Sequence, residues 1–309
     1  AKAGSGLRLK TFRWAAKVAI AYSRALDTPQ GPGTGLRASH HLADRLVYRR
    51  LRALLGPNAR YAISGGGPLG ERLGHFYRGI GLVILEGYGL TETNLDTVNK
   101  IGTVGPPVCG NETRISPDGE VEVRGIGVFP RYHNNPEATA ESFTPDGWFR
   151  TGDIGSLDDD GWLRITGRKK ELIVTAGGKN VAPAVLEDRL RGHPLVSQVL
   201  VVGDNRPCIG ALITLDAEML PLWLANHGLE DMDVVAAAAD PRVRAALERA
   251  VARANEAVSR AESIRTFTIL PTDFTVANGL LTPSLKVRRA QAQERYAAQI
   301  EELYALPPR

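Results

Sequence analysis

The chain has 309 residues, enough for one large domain or two ordinary ones at about 100–200 residues each. Its 43% hydrophobic and 23% charged residues exclude a disordered, collagen-like or coiled-coil protein. The net charge of +4 is unevenly spread: residues 1–60 hold twelve Lys/Arg against only Asp27 and Asp44, a net +10, which leaves −6 for the rest. Such a start suits solvated basic helices or contact with an anionic membrane surface. Phe12, Trp14, Tyr22 and Tyr48 are too few stacking partners for these charges to read as a nucleic-acid site. No stretch approaches the ~20 uninterrupted apolar residues that a spanning helix needs. Cys109 and Cys208 stand far apart with no CxxC around either, which indicates neither a zinc site nor a disulfide framework. A cytoplasmic setting fits, with residues 1–60 at the inner face of the membrane as a peripheral contact. The opening AKAGSG carries no initiator Met and no apolar leader, so the chain is expected to begin inside a longer protein.

Apolar residues at helical spacing predict two opening helices, one over Ala15, Val18, Ala19, Tyr22, Ala25 and Leu26 and one over Leu42, Leu46, Leu51, Leu54 and Leu55, parted by the loop TPQGPGTG. From Tyr61 the texture becomes strand (YAIS), glycine turn (SGGGPLG), helix (Leu69 to Arg78) and strand (LVILEG). That order predicts an α/β layer with a parallel sheet. Residues from about 101 to 166 read as short strands, IGTVG, EVEVR and WLRIT, between turns, a small β-rich subdomain. The remainder reads as an α+β domain with strands ELIVTAGG, SQVLVVGD and CIGALITL and helices over Pro183–Arg191, Ala217–His227, Pro241–Ser263 and Val287–Tyr304. The expected division is 1–168 and 169–309.

Five short segments carry chemistry-bearing residues. Ser64-Gly65-Gly66-Gly67-Pro68 lies between a strand and a helix, where glycines let backbone approach a ligand and the helix start supplies donors; alone it is equally a tight turn. Tyr88-Gly89-Leu90-Thr91-Glu92-Thr93 follows an apolar strand, at the strand end where ligand sites of open sheets form. Trp148-Phe149-Arg150-Thr151-Gly152-Asp153 places a carboxylate after a glycine, suited to accept from ribose hydroxyls or to cap a turn. Gly167-Arg168-Lys169-Lys170-Glu171 joins segments of different texture, as a hinge or an ordinary charged turn does. Pro283-Ser284-Leu285-Lys286-Val287 puts an ammonium on a loop before the last helix.

In this order and spacing the five segments closely resemble the adenylate-forming (AMP-forming) acyl-CoA synthetase superfamily. SGGGPLG resembles its adenine-side turn, EGYGLTET its Tyr-Gly-x-Thr-Glu motif, DGWFRTGDIG its ribose motif, GRKKELIVTAGGKN its hinge and NGLLTPSLKVRR its C-terminal lysine motif. The texture is most similar to bacterial long-chain fatty-acyl-CoA synthetases of an actinobacterial kind, from about residue 40 to the end. The resemblance implies an α/β fold: the end of the large AMP-binding domain, then a smaller mobile α+β domain. It implies a reaction in which a long-chain fatty acid attacks ATP, giving acyl-adenylate and pyrophosphate, after which CoA displaces AMP.

The same resemblance implies a role for each matching residue. Lys286 places a positive charge near the carboxylate, Glu92 holds Mg2+ on the phosphates and Thr91 donates to a phosphate oxygen. Tyr88 stacks on adenine, Asp153 accepts from the ribose hydroxyls, Gly65, Gly66 and Gly67 line the adenine and acyl side, and Arg168 assists at the ribose. Lys170 turns the domain, and Gly177 and Gly178 admit the pantetheine arm. Two departures stand out. No Ser/Thr/Gly-rich phosphate loop of the form TSGTTGxPKG occurs in the chain, so the chain by itself is expected to turn nothing over, and NLDTVNKIGTVG after Thr93 is shorter than the family pattern, as if residues were missing around Thr93–Lys100. Two other readings stay open: a ligase that loads a carrier protein instead of CoA, and a non-catalytic adenylate- or lipid-binding fragment.

Overall fold

Ala15, Val18 and Ala19 form the buried stripe of α1 (Gly6–Ala25) in the computed structural model, which describes residues 6–67, 69–90, 93–98 and 100–305. The second helical run is not one helix but α2 (Thr34–Ala43), a single π turn (Asp44–Tyr48) and α3 (Arg49–Leu55). At the π turn Asp44 gathers Arg49 at 3.1 Å and Arg52 at 2.6 Å. There too the fully buried Tyr48 donates its hydroxyl to the Ala15 carbonyl at 2.6 Å, tying this run to α1.

Next come β1 (Tyr61–Ser64), α4 (Glu71–Ile80) and β2 (Val83–Leu90), with β1 and β2 parallel and Ser64 opposite Glu86. Helix α1 packs on α4 at very short range: a Cβ on Gly79 would stand 2.1 Å from the Ala19 carbonyl oxygen, so only glycine permits the approach. The sequence reading ended this strand at LVILEG, whereas β2 runs on through Tyr88 to Leu90 because it pairs antiparallel with β3 (Thr93–Val98).

The predicted β-rich stretch is a four-stranded sheet in the order β4 (Asn111–Ile115), β5 (Glu120–Gly125), β6 (Phe149–Leu157), β7 (Leu163–Arg168), with α5 (Pro136–Ser142) between β5 and β6. The segment IGTVG is not a regular strand. Gly102 and Gly105, at φ 85° and 95°, turn the backbone there, and only Val104 and Gly105 bond to Leu163, at 2.8 and 3.1 Å. Val104, Val121, Val123 and Leu163 form the core of this part.

The chain clusters into two compact units, Ala1–Thr166 and Gly167–Arg309. The second opens with a 3₁₀ turn (Lys169–Glu171) and the short hairpin of β8 (Ile173–Val174) and β9 (Asn180–Val181). Then follow α6 (Pro183–Arg191), β10 (Val196–Val202), β11 (Ile209–Leu215), α7 (Leu220–Asn226), α8 (Val234–Ala239), α9 (Pro241–Asn255), β12 (Ile264–Leu270), α10 (Arg289–Arg295) and α11 (Ala297–Ala305). Strand β11 lies between an antiparallel β10 and a parallel β12 and is buried along its whole length. A strand covered on both faces reads as a continuous apolar run, as IGALITL does.

Two of the predicted helices change here. The alanine-rich one stops at Asn255, where Asn255 exchanges hydrogen bonds with Ile264 at 2.9 and 3.0 Å and so starts β12, a strand the sequence reading missed. The last helix breaks at Tyr296, whose buried ring stacks on Phe274 at 5.8 Å. Among the described residues no helix is long and apolar enough to cross a membrane.

Candidate nucleotide site

The glycine turn leaves the C-terminal end of β1, the edge of a parallel pair where ligand sites form. Gly66 has φ 77°, a conformation that side chains resist, and a Cβ on Gly66 or Gly67 would meet no heavy atom of the described residues within 4 Å. No described residue packs against Gly66 or Gly67. Its exit is anchored by Glu86, whose Oε1 accepts from the Leu69 N–H at 2.7 Å. Glu86 was not singled out from sequence; a carboxylate at the end of the apolar run LVILE was the available signal.

Tyr88 and Asp153, 65 residues apart, are brought together: the Tyr88 hydroxyl donates to Asp153 Oδ2. Tyr88 packs on the core of Val104, Val121, Val123 and Leu163, while Asp153 is only 3% exposed. Several bonds brace the backbone that carries the carboxylate. Thr151 donates its hydroxyl to the Val121 carbonyl at 2.7 Å and accepts from the Asp153 N–H at 3.1 Å. Gly152, at φ 71°, donates its N–H to the buried Glu120 at 2.9 Å. An ionised carboxylate is acceptor-only, so this arrangement suits a ligand that offers hydroxyl donors. Thr151 and Glu120 are supports that the motif alone did not reveal. Pro68, Thr91 and Glu92 lie outside the described residues. Among the described residues no group of three or more His, Cys, Asp or Glu is placed to hold a metal ion.

The remaining predicted residues occupy exposed turns. Arg168 ends β7 and precedes the 3₁₀ turn that carries Lys170. Gly177 and Gly178 form the tip between β8 and β9, where Gly178, at φ 76°, donates its N–H to the Thr175 carbonyl at 2.8 Å. Lys286 sits on a tight loop closed by Thr282: the Thr282 N–H donates to the Lys286 carbonyl at 2.8 Å, and the Lys286 N–H donates to the Thr282 hydroxyl at 3.1 Å. Leu285 beside it adopts φ 62°, unusual for a residue with a branched side chain. The Lys286 ammonium is exposed and, among the described residues, has no ion-pair partner.

Comparison with known proteins follows the same division. Residues 24–133 match the family described as AMP-binding enzyme, and residues 170–306 match the AMP-binding enzyme C-terminal domain. The chain is 57% identical to the long-chain-fatty-acid–CoA ligase FadD15 of Mycobacterium tuberculosis, over 98% of this chain and 51% of that protein. It is 38% identical to the putative fatty-acid–CoA ligase fadD11 of the same species, over 97% of this chain and 54% of that one. The adenylation domain of a carboxylic acid reductase from Segniliparus rugosus, solved with AMP and a co-purified carboxylic acid, superposes with a TM-score of 0.67 at 26% identity, over 95% of this chain and 46% of that chain. The chain thus spans about half the length of the curated relatives it matches. With both domain models present in chain order and relatives this similar along almost its whole length, the chain belongs to the AMP-binding enzyme family.

Proposed function

We propose that this chain carries the ribose-binding part and the mobile C-terminal domain of a long-chain fatty acid–CoA ligase, divided functionally at 168/169. The observation that carries the reading is the 57% identity, over 98% of the chain, to a protein named as such a ligase. The Tyr88–Asp153 pair supports the nucleotide end of it, because a buried, braced acceptor is what two ribose hydroxyls require.

In the first half-reaction a fatty carboxylate oxygen attacks the α-phosphorus of ATP, forming a P–O bond as pyrophosphate leaves. Both reactants are anionic, so a cation near the forming bond lowers the barrier, and this is the role proposed for Lys286. Asp153 holds the ribose, Arg168 assists there, Tyr88 stacks on adenine, and Gly65, Gly66 and Gly67 line the base and acyl side. Thr91 and Glu92 are the expected phosphate donor and Mg2+ ligand; Mg2+ on the phosphates would offset their charge. In the second half-reaction the CoA thiol sulfur attacks the acyl carbon and AMP leaves. Lys170 is proposed as the turning point between the two halves, with Gly177 and Gly178 giving the pantetheine arm passage past an exposed hairpin tip.

CoA is favoured as acceptor over a carrier protein because the relatives are named CoA ligases. With palmitate, ATP, Mg2+ and CoA, the full-length protein that contains this chain is expected to form acyl-CoA, AMP and pyrophosphate in equal amounts. AMP release that depends on a phosphopantetheinylated carrier protein and not on CoA would overturn this reading.

We also propose cytoplasmic placement with residues 1–60 at an anionic membrane surface. Leu42, Leu46 and Leu54 are 51%, 47% and 84% exposed among Arg45, Arg49 and Arg50, an apolar and cationic mixture of the kind that seats in a headgroup layer. Binding to phosphatidylserine vesicles at low salt that is lost at about 0.5 M salt is the expected result; no binding at low salt removes the proposal.

A further inference from the structure

Lys286 is borne by an exposed loop, yet the chain on both sides of it is tied to the core of the second unit. On the upstream side, Leu280 and Leu281 are buried, Leu281 bridges to Val287, and the Arg288 N–H donates to the Leu280 carbonyl at 2.9 Å. The start of this loop is fixed by Asp273, which accepts from Ser197 at 2.6 Å and Thr214 at 2.5 Å, side chains of β10 and β11.

On the downstream side stands Arg289, three residues after Lys286. Its guanidinium spans two acceptors: Nη1 donates to Glu187 Oε1 and Nη2 to the Val201 carbonyl, each at 2.6 Å. The same Glu187 oxygen accepts the Val201 N–H at 2.8 Å. Strand β10 is an edge of its sheet, so Glu187 and Arg289 together satisfy both backbone groups of Val201. Glu187 is 7% exposed, on α6. Such a buried, charge-paired fork is a costly way merely to add stability, because desolvating both ions offsets most of their attraction. It does fix geometry, since a planar fork with two acceptors has few alternative poses.

We infer that Glu187 and Arg289 are positioning residues for Lys286: the Arg289 fork on Glu187 and Val201 sets where the Lys286 loop leaves the sheet. This rests on the role proposed above for Lys286. Leu285, 66% exposed and at φ 62°, fits the same picture, since a left-handed residue inside a loop anchored at both ends aims the next side chain.

The test uses the full-length enzyme and three variants. Arg289→Lys keeps the charge but reaches only one of the two acceptors, and Glu187→Gln keeps an acceptor for Val201 without the charge. Arg289→Lys is expected to slow acyl-adenylate formation about 10- to 100-fold through misplacement of Lys286. KM for ATP and fatty acid should move by less than about threefold. Amide exchange over residues 281–288 should quicken, and thioester formation from supplied acyl-adenylate should hold its rate. Glu187→Gln should fall between wild type and Arg289→Lys.

Equal loss of both half-reactions together with a lower melting temperature would mean a merely structural pair and overturn the inference. Unchanged adenylation with unchanged exchange in Arg289→Lys would overturn it as well. Lys286→Ala separates the two layers: normal adenylation in that variant would sink the role of Lys286 itself, while the exchange measurement still decides whether the fork holds the loop.

Discussion

The phenol of Tyr88 donates a hydrogen bond to a carboxylate that is almost wholly buried, and that contact bears on what Asp153 can do. An ionised carboxylate is acceptor-only, and one held by a phenol on a braced backbone suits the recognition of a diol. Hydrogen bonds to a charged group contribute about 1.5–3 kcal/mol. Asp153→Ala should therefore weaken AMP binding by about 10-fold or more, measured by calorimetry on the full-length protein. Tyr88→Phe, which keeps the ring packed on Val121 and Leu163, should cost less. Equal AMP affinity in Asp153→Ala and wild type would remove Asp153 from the ribose. Both residues were legible as motif members, but their contact was not, because it depends on β2 running on to Leu90 and meeting β6 where its register shifts against β5, between Arg150 and Ile154. Glu86, Glu120 and Thr151 were silent for the same reason: each acts through a backbone group distant in sequence.

Among the elements, the docking of α1 on α4 buries a hydrogen-bonded histidine, His75. His75 Nδ1 lies 3.0 Å from the Ser23 hydroxyl, which itself accepts from Arg78 Nε at 2.8 Å. A hydroxyl carries one donor and two acceptor sites, so Ser23 has a proton to offer a neutral His75 while it accepts from Arg78. Burial, then the charges of Arg78 and Arg24, lower the His75 pKa below its ordinary 6.5, against the opposing pull of Asp27 and Glu71. A depressed histidine is neutral and stabilising above the unfolded value near 6.5, and that stability is lost as pH falls through the lower folded value. The melting temperature should thus drop on acidification below about pH 6.5, and the drop should be smaller in His75→Asn. Equal acid sensitivity in the two proteins would dismiss this role.

The helical periodicity of α1, α6 and α9 and the apolar run of β11 were visible in the sequence, since each follows from one buried face or two. What escaped were boundaries set by long-range partners. The helix that reads on to Ser263 ends when Asn255 pairs with Ile264, and the terminal helix divides where Tyr296 turns inward onto Phe274.

For the whole molecule, each compact unit has a core of its own. Tyr48, Ile80 and Ala19 pack together in the first, while Leu186, Val199, Ile213 and Leu247 anchor the second, so each can keep its shape through a change of orientation. The proposed chemistry needs that independence, because adenylation and thioester formation are assigned to different loops of the second unit: the Lys286 loop for one, the Gly177-Gly178 tip for the other. The resemblance in the motifs was readable because turns at ligand sites are local in sequence. The Glu187–Arg289 fork, 102 residues apart, was not. The most direct test of the account is the rate of each half-reaction in full-length Lys286→Ala. The account predicts loss of acyl-adenylate formation with thioester formation from supplied acyl-adenylate intact, and a variant that loses both equally, or neither, would contradict it.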